Sequence, residues 1–376
     1  MATCPGCQTR TDDARCHHCG VALRPGSYAV HRVVGETDHS RVYQATSSTG
    51  QQVALKELTF SRLPTAQTLS AFEQEVRILR SLKHKQIPDF VDSFQDGEGV
   101  NLRLYLAQEF IAGHTLLEIV EEHRLDEAHA RKIAHQLLRI LIYLQSVSPP
   151  VFHRDIKPAN VVLRRNGKLV LVDFGAARDT GITVGATQVG TFGYMAPEQL
   201  TGIVGKSTDL YGLGATLVHL LARRPPWELD RADVDKVVNT SRRFRSFLLE
   251  LWCMDPRQRL PDARTAFAAL KRARPQRKLA TRRTKRGPSQ AAWPRKGDAL
   301  VAKRDDAGLA VERFTLPPWR RKLADHSIAA MVSLPTVVAI LASGSAGFAL
   351  PVALIVHGVL YLLVSEMLSA GGGSSS

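Results

Sequence analysis

The chain has 376 residues, 44% of them hydrophobic and 23% charged, which excludes a wholly disordered protein and points to two or three folded units rather than one small core. Its net charge of +15 is concentrated in one place, because 13 Lys and Arg against a single acid, Asp298, fall between Lys271 and Arg304 and carry +12 of it. The rest is nearly balanced, so the charge describes one segment and excludes a generally cationic surface.

The N-terminus, MATCPGCQTR, has no apolar run, so a secretory signal is not expected and the folded part should face the reducing cytosol. Five cysteines are an odd number for a disulfide scaffold. Four of them form Cys4-Pro-Gly-Cys7 and Cys16-His-His-Cys19, separated by eight residues. Each Cys-x-x-Cys turn presents two thiolates to a common point, so the two suit one tetrahedral Zn²⁺. The pattern resembles the short zinc ribbons at the ends of many prokaryotic proteins. A redox pair is the other reading, but it lacks a βαβ context, and His17 or His18 could replace one cysteine. Residues 1–24 are too few for an apolar core, so the metal would supply the folding energy of a closed, structural site. As a separate unit, its loss is expected to spare the rest of the chain.

Arg24-Pro25-Gly26 reads as a linker. A strand pattern follows through Tyr28, Val30, Val33 and Val34, with Gly35, Thr37 and Ser40 in the turn that leads to Val42 and Tyr43. Val53-Ala54-Leu55-Lys56 is an apolar strand carrying one inward Lys. From Thr68 to Leu82, the residues Leu69, Phe72, Val76, Leu79 and Leu82 recur at helical spacing on one face. Glu75 lies in that helix, and Glu73 points to another face. Leu102 to Phe110 alternates and runs into Gln108-Glu109-Phe110-Ile111-Ala112-Gly113. A long amphipathic helix is expected from about Asp126 to Ser146, with Ile133, Leu137, Leu141 and Leu144 inward.

The stretch from Val151 to Gly175 holds His153-Arg154-Asp155, Lys157, Asn160 and Asp173-Phe174-Gly175. Two β-hairpins with ordinary turn charges could account for part of it, but seven positions in register could not. A threonine-rich segment with Thr180, Thr183, Thr187 and Thr191 follows, ending at Ala196-Pro197-Glu198. Beyond it come Ser207-Thr208-Asp209-Leu210-Tyr211-Gly212, Asp255-Pro256-Arg257-Gln258-Arg259 and a helix from Ala263 to Lys271.

These motifs, in this order, resemble protein kinases of the eukaryotic type, which also occur in bacteria. The resemblance implies a two-lobed α+β kinase domain over residues 27–272, using ATP and Mg²⁺. Asp155 would accept the hydroxyl proton, Lys157 would sit by the transferring phosphoryl, and Asn160 and Asp173 would hold Mg²⁺. Gly35, Val42, Ala54, Lys56 with its partner Glu75, and the backbone at Glu109 and Ile111 would bind ATP. Gln108 falls at the gatekeeper position. Arg154 would be regulatory together with Thr183, Thr187 and Thr191, and Lys157 with Gly190-Thr191-Phe192-Gly193-Tyr194 implies a serine/threonine rather than a tyrosine kinase. Asp209 would cap catalytic-loop amides, and Arg259 would pair with Glu198. One departure stands out: Thr37 and Ser40 replace the second and third loop glycines, which allow backbone amides close approach to phosphate.

Residues 273–323 read as a basic linker with Pro275, Pro288, Pro294 and Pro317-Pro318, suited to anionic headgroups. Aromatics are almost absent apart from Trp293, so nucleic acid is not the expected partner. Ser327 to Ser365 is free of Asp, Glu, Lys and Arg for 39 residues, about 58 Å as one helix and twice a hydrocarbon core of about 30 Å. Two transmembrane helices within residues 327–368, broken at Ser343 to Gly347, are expected; one span with an interfacial stretch is the alternative. Arg313, Arg320, Arg321 and Lys322 place the preceding side in the cytoplasm. The expectation is a membrane-anchored serine/threonine kinase acting on protein substrates, with a pseudokinase or zinc-ribbon scaffold as the rival.

Overall fold

The computed structural model describes residues 2–37, 39–60, 63–177 and 191–273. The described residues all fall within the first of the chain's two units, residues 1–302. Thr180, Thr183, Thr187, the basic run beyond residue 273 and the charge-free stretch from Ser327 lie outside them. Among the described residues, no helix is long and apolar enough to cross a membrane.

Two short strands, β1 (Ala2–Thr3) and β2 (Arg10–Thr11), pair at the N-terminus. Five further strands build the upper lobe: β3 (Ala29–Thr37), β4 (Ser40–Thr46), β5 (Gln52–Leu58), β6 (Phe90–Asp96) and β7 (Arg103–Glu109), antiparallel in the order β3-β4-β5-β7-β6. Helix α1 (Ala66–Ser81) crosses between β5 and β6, started by Thr65, whose hydroxyl accepts from the Thr68 amide.

The pleat separates the sheet residues into two sets. Val42, Lys56 and Leu106 lie opposite one another on one face; Tyr43 and Leu55, and Glu57 and Tyr105, pair on the other. An antiparallel sheet covered on one side leaves the other to water, yet Tyr43, Val53, Leu55, Glu57 and Tyr105 are all fully buried. The cover is the cysteine-rich N-terminus, for Cys4, Cys16 and Val21 share one core cluster with Tyr43, Leu55 and Tyr105. The ribbon expected as a separate unit is therefore a third layer of the upper lobe. Twenty residues cannot bury an apolar face of their own, but they can cover one already present on the sheet.

The lower lobe is mainly helical: α2 (Leu116–Glu122), α3 (Glu127–Leu144), α4 (Thr208–Ala222), α5 (Val234–Val237), α6 (Arg242–Leu251) and α7 (Ala263–Arg272). A small sheet of β8 (Gly113–Thr115), β9 (Val161–Arg164) and β10 (Leu169–Leu171) lies on its upper side. Thr115 and Glu118 form a capping box on α2, and Asp126 caps α3 through the His129 amide. Helix α4 is buried without a break from Thr208 to Leu220, as a helix apolar all round must be. Gly212 lets it approach the catalytic loop, since a Cβ there would stand 3.0 Å from the Ile156 carbonyl.

His219 of α4 is buried with its Nδ1 against the Tyr194 hydroxyl, and burial pushes its pKa down to about 4. A histidine held neutral in the fold but ordinary when unfolded contributes stability in full above pH of about 6.5, and loses it as the pH falls toward 4, because the unfolded chain binds the proton first. Urea unfolding should therefore show the wild type losing up to about 1.4 kcal/mol per pH unit more than His219→Gln across that window. Equal pH profiles for the two proteins would refute it.

Candidate active site

Lys56 stands on the inner face of β5. Its Nζ donates to Glu75 Oε1 at 2.9 Å and Oε2 at 3.2 Å, and to Asp173 Oδ1 at 3.0 Å. Burial alone would lower the ammonium pKa, but Asp173 and Glu75 raise it well above its ordinary value. Lys56 in turn holds the Asp173 carboxyl far below the usual range. At neutral pH both are charged. Glu75 is buried and Glu73 exposed, so the helix turns the expected glutamate inward. A Cβ at Gly175 would stand 2.7 Å from Lys56 Nζ, so a side chain there would push on the ammonium.

Below it, Asp155 is held from several sides. Lys157 Nζ donates to its Oδ2 at 2.7 Å, and Asn160 Nδ2 donates to its Oδ2 and its carbonyl, both at 2.9 Å. Thr191 donates to Oδ1 through its amide at 3.2 Å and its hydroxyl at 3.0 Å, while Lys157 Nζ donates to that hydroxyl at 2.6 Å. Thr191, expected among the regulatory threonines, is thus a bridge from the substrate-side loop to Asp155 and Lys157. Thr183 and Thr187 lie outside the described residues.

The loop is braced from beneath. Arg154 and Asp173 both have left-handed backbones, at φ 67° and 63°, a conformation unfavourable for residues with a Cβ. Asp209 accepts from the His153 amide at 2.9 Å and the Arg154 amide at 2.7 Å. Its burial raises its pKa, and those amides work against the rise. Gln199 adds a tie that no motif signalled: its amide nitrogen, Nε2, donates to the Arg154 carbonyl at 3.0 Å, and its Oε1 accepts from the Ala196 amide at 3.1 Å. The His153 ring meets Phe174 edge-on at 4.8 Å. Glu198 pairs with buried Arg259 at 2.7 and 3.1 Å.

Between the lobes, Val42 and Ala54 lie on the Lys56 face of the sheet. Ile111 clusters with Val162, Val170 and Val172 on the opposite side. Glu109 ends β7, and its side chain pairs with Arg164 at 2.5 Å. The β3–β4 hairpin pairs up to Thr37 and Ser40. There the Thr37 hydroxyl accepts from the Ser40 amide at 3.1 Å and meets the Ser40 hydroxyl at 2.8 Å. The residues that replaced two glycines thus close the tip of the loop.

A model of the protein kinase domain matches residues 28–271. The chain belongs to the protein kinase family. It is similar to serine/threonine-protein kinase D of Synechocystis, 34% identical over 220 residues, which are 53% of this chain and 41% of that protein. It is also similar to serine/threonine-protein kinase PknA of Nostoc, 35% identical over 53% of this chain and 38% of the relative. A PTI1-like tyrosine-protein kinase of Arabidopsis thaliana is 37% identical over 52% of this chain and 56% of its own length. The kinase thus spans roughly two fifths to just over half of these relatives.

In the kinase's N-terminal layer, the sulfurs of Cys4, Cys7, Cys16 and Cys19 lie within 4.8 Å of one another. Contacts run between the two turns, Cys4 to Cys19 at 3.4 Å and Cys7 to Cys16 at 3.5 Å, near the edge of about 3.8 Å for a tetrahedron with Zn–S bonds of about 2.3 Å. His17 and His18 are exposed and outside this group. Hydrogen bonds from Thr9 hold the Cys7 thiol down at about 6, whereas burial pushes Cys19 up to about 12 and raises Cys4. Four thiolates so close need a cation to stay ionised together, so this donor set fits a zinc ion.

Asp209→Ala would leave the buried amides of His153 and left-handed Arg154 without their acceptor. The expected loss is about 2–4 kcal/mol of unfolding free energy, read from urea midpoints, with a larger fall in phosphotransfer than in nucleotide binding.

Proposed function

We propose that the chain is an active serine/threonine protein kinase, transferring the ATP γ-phosphate to protein hydroxyls and held at a membrane with its catalytic domain in the cytoplasm. The carrying observation is the grouping of Asp155, Lys157 and Asn160 with the Thr191 hydroxyl, 3.0 Å from Asp155. That hydroxyl marks where a hydroxyl can meet the carboxylate. In the reaction a substrate oxygen bonds to the γ-phosphorus, the bond to the ADP oxygen breaks, and the hydroxyl proton passes to Asp155. Lys157, within reach of both Asp155 and the incoming hydroxyl, offsets charge on the transferring group. Lys56, fixed by Glu75, binds the α- and β-phosphates.

Asn160 spends its amide nitrogen on Asp155, which leaves Oδ1 to face a cation, and Asp173 supplies the second oxygen donor. Mg²⁺ bound there would neutralise phosphate oxygens and hold them in line. Val42 and Ala54 would cover the adenine, with the Glu109 carbonyl and Ile111 amide pairing to its edge. Zinc on Cys4, Cys7, Cys16 and Cys19 has a structural role. Autophosphorylation at Thr183 or Thr187 would place a phosphate near Arg154.

The membrane part of this reading rests on sequence. The 39 charge-free residues from Ser327 suit a helical hairpin, and the basic residues from Arg313 to Lys322 hold their end inside. A reporter active only in the cytoplasm, fused after Ser376, should work, and one active only outside should not; the reverse result would exclude the hairpin.

For the chemistry, Asp155→Asn should lower phosphotransfer at least about a thousandfold while Mg²⁺-ATP still raises the melting temperature, whereas Lys56→Met should lose both. Undiminished turnover in purified Asp155→Asn would sink the catalytic assignment. A wild type that binds nucleotide and never transfers phosphate would instead make the protein a pseudokinase scaffold.

A further inference from the structure

Glu57 follows Lys56 on β5 and points to the opposite face, under the cysteine-rich layer. It is fully buried, and a buried carboxylate needs a countercharge and donors. Both tyrosine hydroxyls above it donate, Tyr43 to Oε2 and Tyr105 to Oε1, the latter at 2.9 Å. The nearest cation does not come from the kinase sheet. It is Arg15, in the turn just before Cys16, whose Nη2 lies 2.7 Å from Glu57 Oε1 and donates to the Tyr105 hydroxyl at 2.9 Å. Arg103 Nε is more distant, at 3.9 Å.

The same guanidinium reaches the other way. Arg15 Nη1 donates to the Gly20 carbonyl at 2.7 Å, directly after Cys19. One planar fork therefore spans the second cysteine turn and a carboxylate whose neighbour in sequence is the nucleotide-binding lysine. A fork with fixed geometry transmits the position of one end to the other, which a flexible single-point ammonium does not. Consecutive strand residues are held 3.8 Å apart at their Cα atoms, so a shift of Glu57 is a shift of Lys56.

We propose that Arg15 is a positioning residue for phosphoryl transfer: through Glu57 it sets the height of β5, so that the metal-held cysteine turn and the Lys56 side of the nucleotide cleft behave as one unit. The inference rests on the kinase and zinc readings above and deepens them. It runs against the expectation that losing the ribbon spares catalysis. Without the ordered turn, Glu57 becomes a buried carboxylate lacking its main countercharge and Tyr43, Leu55 and Tyr105 lose their cover. The strand then has to relax toward water, and Lys56 relaxes with it.

The test uses the full-length protein, with zinc measured by elemental analysis, Mg²⁺-ATP affinity by calorimetry, and kcat and KM for ATP at a temperature well below the melting point. Arg15→Ala should keep one zinc per chain, raise Kd and KM for ATP about tenfold and leave kcat within about twofold, the pattern of weakened ground-state binding. Glu57→Gln should weaken ATP binding on its own but add little to Arg15→Ala, because both act through one contact. Stripping zinc with a chelator should mimic Arg15→Ala in the wild type and add little in that variant. Should Arg15→Ala fail to fold, Arg15→Lys keeps the charge but cannot span Gly20 and Glu57 together, and should give the same split at an intermediate size. A lowered melting temperature with unchanged ATP Kd and KM would make the contact merely structural and overturn the inference. So would additive effects in the double variant. A zinc-free wild type would overturn the coupling to metal, and a wild type that binds no nucleotide would overturn the kinase reading along with this one.

Discussion

The Lys56 ammonium is where three parts of the molecule meet. Strand β5 carries it, α1 brings Glu75 to 2.9 Å, and the loop after β10 brings Asp173 to 3.0 Å. Two carboxylates beside one buried cation leave room for a further positive charge, which a Mg²⁺ arriving with a nucleotide would supply and which β5 alone would not hold in place. A side chain at Gly175 would push on the ammonium, and the helical phase of α1 presents Glu75 rather than Glu73. The upper lobe is thus arranged around keeping one side chain at one height.

That requirement explains why the sheet carries cover on both faces. A single layer of strands against α1 would leave Tyr43, Leu55 and Tyr105 in water, and about 25 cal/mol is lost for each Å² of apolar surface left exposed. The cysteine-rich layer removes that surface and supplies Arg15 to Glu57. The dependence is mutual, since the layer has too few residues for a core and borrows one from the sheet.

In the lower lobe the constraint is backbone strain. Arg154 and Asp173 adopt left-handed conformations that aim Asp155 and the Asp173 carboxylate into the cleft, and such conformations persist where neighbours over-determine them. Asp209 and Gln199 do so at Arg154, gripping its amide and its carbonyl from two different elements. Helix α4 is buried from Thr208 to Leu220 to bring Asp209 there. The Glu198–Arg259 pair anchors the segment that carries Gln199.

By itself the sequence determined the kinase fold and which residues would come together in the cleft. Asp155, Lys157, Asn160 and Asp173 are polar groups at fixed spacings within a short span, and chemistry that needs them tolerates few other residues, so the pattern survives in one dimension. The family resemblance likewise singled out Glu75, with helix phase turning Glu73 to another face, and the cysteine spacing predicted that four sulfurs converge. Only the tertiary structure decided what depends on contacts between distant segments. Gln199 lies in no pattern, because an amide becomes a brace only through what it faces. Thr191 read as one threonine among several until the fold laid its hydroxyl on Asp155. The placing of the cysteine-rich layer was not legible, since Val53, Leu55 and Glu57 on one face of β5 do not say what covers them. Which segment covers the outer face, and that Arg15 answers Glu57 across 42 positions of chain, is a property of packing that local periodicity does not encode.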